Sequence, residues 1–191
     1  MDNIPTRVRE HIDNVLSRSE QVLVAIDGNC TAGKTTLARA LEAVYDCNVF
    51  HMDDFFLRPE QRTPDRLAQP GGNVDYERFR EEVLLPLAAG KTVCYRPYDC
   101  HSRTLKEPVT VFPRPLTIIE GTYSRHPFFG SPYALTIFLR VPEQLQRQRI
   151  GLRPEAVQQR FFTEWIPMEQ QYFDAFSIRQ TSDLDLDSID L

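Results

Sequence analysis

Between residues 5 and 18 apolar side chains recur at helical spacing, and Val8, Ile12 and Val15 predict one buried stripe of a helix. The period changes at Gln21 to Asp27, where almost every position is apolar, as in a strand covered on both faces. Gly28 to Gly33 breaks this run as a loop. Lys34 to Tyr45 then returns to helical spacing with Leu37, Ala38, Leu41 and Val44 on one face. Cys47 to Met52 predicts a second strand, ending at Asp53 and Asp54. Pro59, Pro64, Pro70, Gly71 and Gly72 make 55 to 74 a long loop, of the kind compact domains keep for function.

Asp75 to Leu87 predicts a helix with acidic residues suited to its N-terminus and with Pro86 and Gly90 as its stop. Thr92 to Arg96 and Val109 to Phe112 are β-prone on either side of a polar stretch and predict a hairpin, so that residues 91–112 form one excursion. Leu116 to Ile119 and Ala134 to Val141 predict two further central strands. A helix from Glu143 runs to an arginine-rich break at Gly151 to Pro154, and Glu155 to Phe176 predicts a last helix kinked at Pro167. The acidic tail, 180–191, reads as a terminal strand or as disorder. Strands alternating with helices predict an α/β domain of three layers, with a parallel five-stranded sheet, a small β-hairpin and a lid at about 147–155. Ligands of such a domain bind at the C-terminal ends of the strands.

Composition narrows the setting. A chain of 191 residues with 41% hydrophobic residues, including 12 Phe, 7 Tyr and 1 Trp, suits one domain, 1–191, with a core that needs no disulfide or structural metal. Cys30, Cys47, Cys94 and Cys100 contain no CxxC pair, and the sequence has neither a membrane-length apolar run nor a signal peptide. These features point to the reduced cytoplasm and away from a membrane. The net charge is −5, and Asp183, Asp185, Asp187 and Asp190 account for four of those charges, so no broad nucleic-acid surface is expected. Any anion site is therefore local.

The local site is the run Gly28, Asn29, Cys30, Thr31, Ala32, Gly33, Lys34, Thr35, which satisfies GxxxxGK[ST] and is followed by Thr36. Glycines let the backbone curl so that successive N–H groups face a phosphate, and the next helix adds its positive end. In this geometry Lys34 reaches the β/γ oxygens and Thr35 ligates Mg²⁺. The pattern sits between a buried strand and a helix, as it must to work.

Carboxylates decide what a bound nucleotide is used for. Asp53 and Asp54 follow the second strand, where a carboxylate can accept the proton of an attacking hydroxyl, although a turn or helix cap also uses Asp. Glu120 ends a buried strand, where it can hold Mg²⁺ directly or through water. Arg147, Arg149 and Arg153, with Arg160 beyond, could close over transferring phosphate; the plainer alternative is a solvated helix face. His11, His51, His101 and His126 lack metal-ligand spacing and read as structural or exposed. Cys30 lies at a helix N-terminus, which can activate a thiol, and also suits the loop simply as a small side chain.

Taken together, these residues resemble the uridine kinase family of P-loop small-molecule kinases over about residues 20 to 176. The P-loop, Asp53 to Phe56 (DDFF), Asn73 to Phe79 (NVDYERF), Pro97 to Asp99 with His101-Ser102-Arg103, and Glu120-Gly121 occur in that family's order. The resemblance implies transfer of the γ-phosphate of ATP, or GTP, with Mg²⁺, to a ribonucleoside 5′-hydroxyl, uridine or cytidine first. It implies Asp53 as base and magnesium-site acid, Lys34, Arg149 and Arg153 in catalysis, and Glu120 with Thr35 at Mg²⁺. It also implies that Asp75 grips ribose hydroxyls and that Tyr98, His101 and Arg103 contact the acceptor. The segment Asp99-Cys100-His101 is shorter than the family's and lacks the aromatic after Asp99. The DDFF run, the lid spacing and Trp165 to Met168 also resemble nicotinamide riboside kinases.

Other classes fit less well. A switch GTPase carries Asn-Lys-x-Asp for guanine, and no Asn here precedes Lys. A nucleotide-binding regulator without transfer activity has no need of an intact Lys34, Thr35, Asp53 and Glu120. The expected partner is a small nucleoside, and the oligomeric state is open.

Overall fold

The computed structural model describes residues 4–189; Asp190 of the acidic tail lies outside the described residues, as do residues 1–3 and 191. Helix α1 (Thr6–Leu16) leads into strand β1 (Val22–Gly28), and α2 (Lys34–Glu42) follows the P-loop and leads into β2 (Cys47–His51). The expected stripe on α2 holds for Leu37, Ala38 and Leu41 but not for Val44, which is 41% exposed because the helix is capped at Ala43. The long loop is partly ordered into short turns, Pro59–Gln61 and α3 (Pro64–Leu67). A proline starts each, where its missing N–H costs nothing, and Thr63 caps α3 by accepting the Arg66 N–H.

The helix expected over 75–87 runs as α4 (Tyr76–Phe79), a π-helical stretch (Arg80–Leu84) and α5 (Leu85–Ala88). Pro86 therefore lies inside it. A proline ring collides with the carbonyl four residues earlier, and the wider π turn gives the room. The last helix repeats the device, with α7 (Glu155–Arg160) and α8 (Ile166–Phe176) joined through π-helical Phe161–Trp165 just before Pro167.

The excursion at 91–112 is a hairpin within a hairpin. Strand β3 (Val93–Tyr95) pairs antiparallel with β6 (Val109–Val111), and between them β4 (Tyr98–Asp99) pairs with β5 (Thr104–Leu105). The chain continues through β7 (Leu116–Glu120), β8 (Leu135–Arg140) and α6 (Glu143–Gly151), reaches α7 and α8, and ends in β9 (Leu184–Asp187). Within the tail, Leu184–Asp187 is thus a strand. Leu184 and Leu186 turn into the core while Asp185 and Asp187 face Arg140.

The main sheet is parallel throughout, in the order β2-β7-β1-β8-β9. One face packs on α1 and α2 through Val8, Ile12, Leu37 and Leu41. The other packs on the α4–α5 helix and α8 through Phe50, Phe79, Val83, Tyr172 and Phe173. Burial of each such side chain contributes roughly 1.5–3 kcal/mol before chain entropy is set against it. The P-loop leaves the central strand at its C-terminal end, flanked by the ends of β7 and β8, which is where open α/β sheets bind ligands. Among the described residues no helix is long and apolar enough to cross a membrane.

Candidate active site

Gly28 opens the P-loop with φ 136°, and a Cβ there would lie 2.1 Å from the Leu139 carbonyl oxygen on β8. Only glycine lets β1 pass this close to its neighbour and turn. Asn29 donates its N–H to the same carbonyl at 3.1 Å, and Gly33, with φ 97°, caps α2. Lys34 is folded back on the loop, its ammonium donating to the Gly28 carbonyl (2.8 Å), the Asn29 carbonyl (2.8 Å) and the Thr122 hydroxyl (3.1 Å). Thr31 sits at φ 61°, Ala32 is buried, and Thr35 and Thr36 are exposed on the first turn of α2.

Sheet register brings the acids together. Glu120 faces His51 across the β2–β7 pairing, and the two side chains hydrogen-bond. The Thr35 hydroxyl donates to the same Glu120 oxygen at 2.9 Å. His51, expected to be structural or exposed, is partly exposed and bonded to Glu120, which holds its pKa above the usual imidazole value.

Asp53 is exposed to solvent on the Met52–Phe55 turn yet has protein atoms packed around most of it. Burial pushes its carboxyl above the usual range and the Glu120 charge adds to this, while Lys34 and His51 oppose them. Asp54 differs, because its side chain takes the Tyr95 hydroxyl at 3.3 Å and its carbonyl takes Arg78 at 2.8 Å.

Residues 55–57 run antiparallel beside 73–75, with a bridge between Phe56 and Val74 and a 2.7 Å bond from Asp75 N–H to the Phe55 carbonyl. This brings Asp75 to the acidic turn. Asp75 is buried as the N-cap of α4, accepting the Arg78 N–H at 3.1 Å and the Gln61 amide at 2.8 Å. Asp75 lines a cleft of about 340 Å³ with Leu57, Gln61, Arg66 and Glu77.

The inner hairpin packs on the Met52–Phe55 turn, and the charges of Asp53 and Asp54 act on the Cys100 thiol. Tyr98 is buried in it, whereas His101 and Arg103 are exposed at its tip.

The arginines divide. Arg149 donates to the Thr31 carbonyl at 2.7 Å, but Arg147 pairs with Glu143 and Arg160 with Glu164, each one turn along its own helix, and Arg153 is exposed. In this arrangement the four arginines are not gathered at one point, and nearby carboxylates on the same helix faces pair with Arg147 and Arg160. Cys30 is not an activated thiol, because burial and the Glu169 carboxylate push its pKa well up.

Four side chains here were absent from the sequence expectations. Glu169 on α8 accepts the Cys30 N–H at 3.0 Å; burial raises its pKa, with Lys34 and its hydrogen bonds opposing. Thr122 links Lys34 to Glu169, Gln146 donates to the Cys30 carbonyl, and Arg78 ties Asp54, Asp75 and the Arg96 carbonyl together. Only Glu169 leaves a trace in the sequence: a charge three residues before Tyr172 on an otherwise apolar helix face.

The geometry defines a fold class, the three-layer α/β fold of P-loop kinases. No family model matches the sequence, and no curated protein matches it. Solved structures do match. A possible uridine kinase from Bacillus stearothermophilus is similar at 19% identity with a TM-score of 0.70, over 95% of this chain and 100% of that one. A putative fructose transport system kinase from Silicibacter sp. TM1040 is similar at 23% identity and a TM-score of 0.72, over 94% and 97%. Phosphoribulokinase from Rhodobacter spheroides is similar at 13% identity and a TM-score of 0.58, over 88% and 70%.

Proposed function

We propose that this chain is an ATP-dependent phosphotransferase acting on the 5′-hydroxyl of a ribonucleoside, uridine or cytidine first. The observation that carries this reading is Asp53. Among the described residues its carboxylate has no hydrogen-bond partner, and the charges of Glu120 and Lys34 act on it. The three kinases of similar fold support the class of reaction, and the motifs shared with uridine kinases support the acceptor.

In this reading the acceptor hydroxyl attacks the γ-phosphorus, its proton passes to Asp53, the bond from γ-phosphorus to the bridging oxygen breaks, and ADP leaves. Lys34 exchanges its two carbonyl partners for phosphate oxygens. Arg149, and Arg153 once the lid closes, neutralise charge on the transferring group.

Thr35 and Glu120 fit a magnesium site, being an adjacent hydroxyl and carboxylate with Asp53 close by. An ion bound by so few side chains keeps several of its waters and takes further ligands from the phosphates. Bound there, Mg²⁺ supplies charge neutralisation at the phosphates. Asp75 holds the ribose hydroxyls, giving up Gln61 to do so, and Tyr98, His101 and Arg103 approach the base.

The inner hairpin has no Phe, Tyr or Trp between Asp99 and Thr104 to stack on a pyrimidine, which keeps nicotinamide riboside as a second acceptor. The test measures ADP release from Mg-ATP with uridine, cytidine, nicotinamide riboside, fructose or 2′-deoxyuridine against a blank. Release with uridine or cytidine, and loss by ~10²-fold or more with the deoxy analogue, is expected. Release with nicotinamide riboside alone replaces the acceptor, and ATP binding without release to any of them overturns the nucleoside kinase reading.

A further inference from the structure

The apex of the P-loop is gripped from outside by two C-terminal helices. Glu169 of α8 accepts the Cys30 N–H at 3.0 Å, Gln146 of α6 donates to the Cys30 carbonyl at 3.2 Å, and Arg149 of α6 donates to the Thr31 carbonyl at 2.7 Å. Glu169 differs from the other two. It is only 6% exposed, and its second oxygen lies 3.3 Å from the Thr122 hydroxyl, which shares its proton with the Gly28 carbonyl at 2.9 Å and receives the Lys34 ammonium at 3.1 Å. One carboxylate thus reaches both the backbone of the loop and, through one hydroxyl, its lysine.

The root of the loop is held from the same helix face. Tyr172, three residues on, donates its hydroxyl at 2.8 Å to the buried Asp27 at the end of β1. Burying a carboxylate costs free energy even when it is hydrogen-bonded, and an apolar side chain would fill the same space without that cost. A second cost is specific to this place, because a fixed negative charge beside a phosphate site opposes the ligand. Packing does not account for such a choice; control of loop geometry does.

We propose that Glu169 is a positioning residue for the nucleotide, fixing the P-loop apex and, through Thr122, the Lys34 ammonium in the arrangement that receives the phosphates. The inference rests on the nucleotide-binding part of the function proposed above. It does not depend on the acceptor.

Calorimetric titration with ADP and with Mg-ATP, without acceptor, tests it on wild type, Glu169→Ala, Glu169→Gln and Thr122→Val, each checked by melting temperature. Glu169→Ala is expected to weaken both nucleotides about tenfold or more, since it frees a loop N–H and loosens Lys34. Glu169→Gln is expected to bind at least as tightly as wild type. Its amide oxygen still accepts the Cys30 N–H, its amide N–H reaches Thr122, and the opposing charge is gone. Thr122→Val, nearly the same shape, is expected to weaken binding several-fold.

A merely structural role would lower the melting temperature and leave the affinity of the folded protein unchanged. Wild-type affinity in Glu169→Ala overturns the proposal, as does Glu169→Gln binding as weakly as the alanine variant. If Glu169→Ala does not fold, unchanged affinity in Thr122→Val overturns it. Wild-type protein that binds neither nucleotide overturns the nucleotide reading itself, a different result from a variant that behaves like wild type.

Discussion

Two adjacent aspartates end the second strand, and their surroundings give them different work. Asp54 is committed, its side chain to Tyr95 and its carbonyl to Arg78, so it fastens the acidic turn to the hairpin. Asp53 carries no such bond, and burial with the Glu120 charge raises its pKa, which suits a proton acceptor. Asp53→Asn is therefore expected to lower kcat by ~10²-fold or more with ATP affinity little changed, measured by ADP release and by titration. Unchanged turnover would move the base to Asp54. The P-loop residues were legible because their pattern is contiguous. Glu169 was not, because it meets Cys30 from 139 residues away, and its one local trace, a charge on an apolar helix face, does not name that partner.

At the scale of elements, the apolar runs became the strands expected of them, since a strand covered on both faces has no polar face to hide the signal. The inner hairpin was not legible. Strands of two residues carry no period, and theirs is held by the Arg96 guanidinium on the carbonyls of Leu105 and Lys106. Glycines separate by the same logic of neighbours. Gly28→Ala forces a Cβ onto the Leu139 carbonyl at a φ that side chains avoid and is expected to cost about 2–4 kcal/mol in urea unfolding. Gly151→Ala, at the end of α6 with nothing within 4 Å of its Cβ, is expected to be neutral or stabilising by up to ~1 kcal/mol. Equal effects would refute the close approach of β1 and β8.

For the molecule as a whole, acid stability depends on His126, which stacks on Tyr76 at 4.2 Å and packs among Tyr172, Phe129 and Phe176. Burial pulls its pKa down to about 4, so the folded protein keeps the ring neutral while the unfolded chain takes up a proton near pH 6.5. Its contribution is full above that value and is lost as pH falls toward 4, by roughly 2–4 kcal/mol in all. Asp27 and Glu169, whose pKa values are raised, act in the opposite sense, so the readout is the wild-type curve minus that of His126→Phe. A difference that stays flat from pH 7 to 4 would refute this account. The strand order, like Glu169, was beyond the sequence because pairing is chosen by partners far along the chain. The π turn at Phe161–Trp165 adds a constraint on length rather than chemistry: it absorbs one residue more than an α turn, and one residue is about 100° of rotation. Deleting one residue within it closes it to an α turn with both flanks still in phase, whereas deleting one from α8 before Tyr172 would swing everything downstream around the axis by that angle, so the count of residues from the π turn to Tyr172 is a phase setting that no substitution can replace.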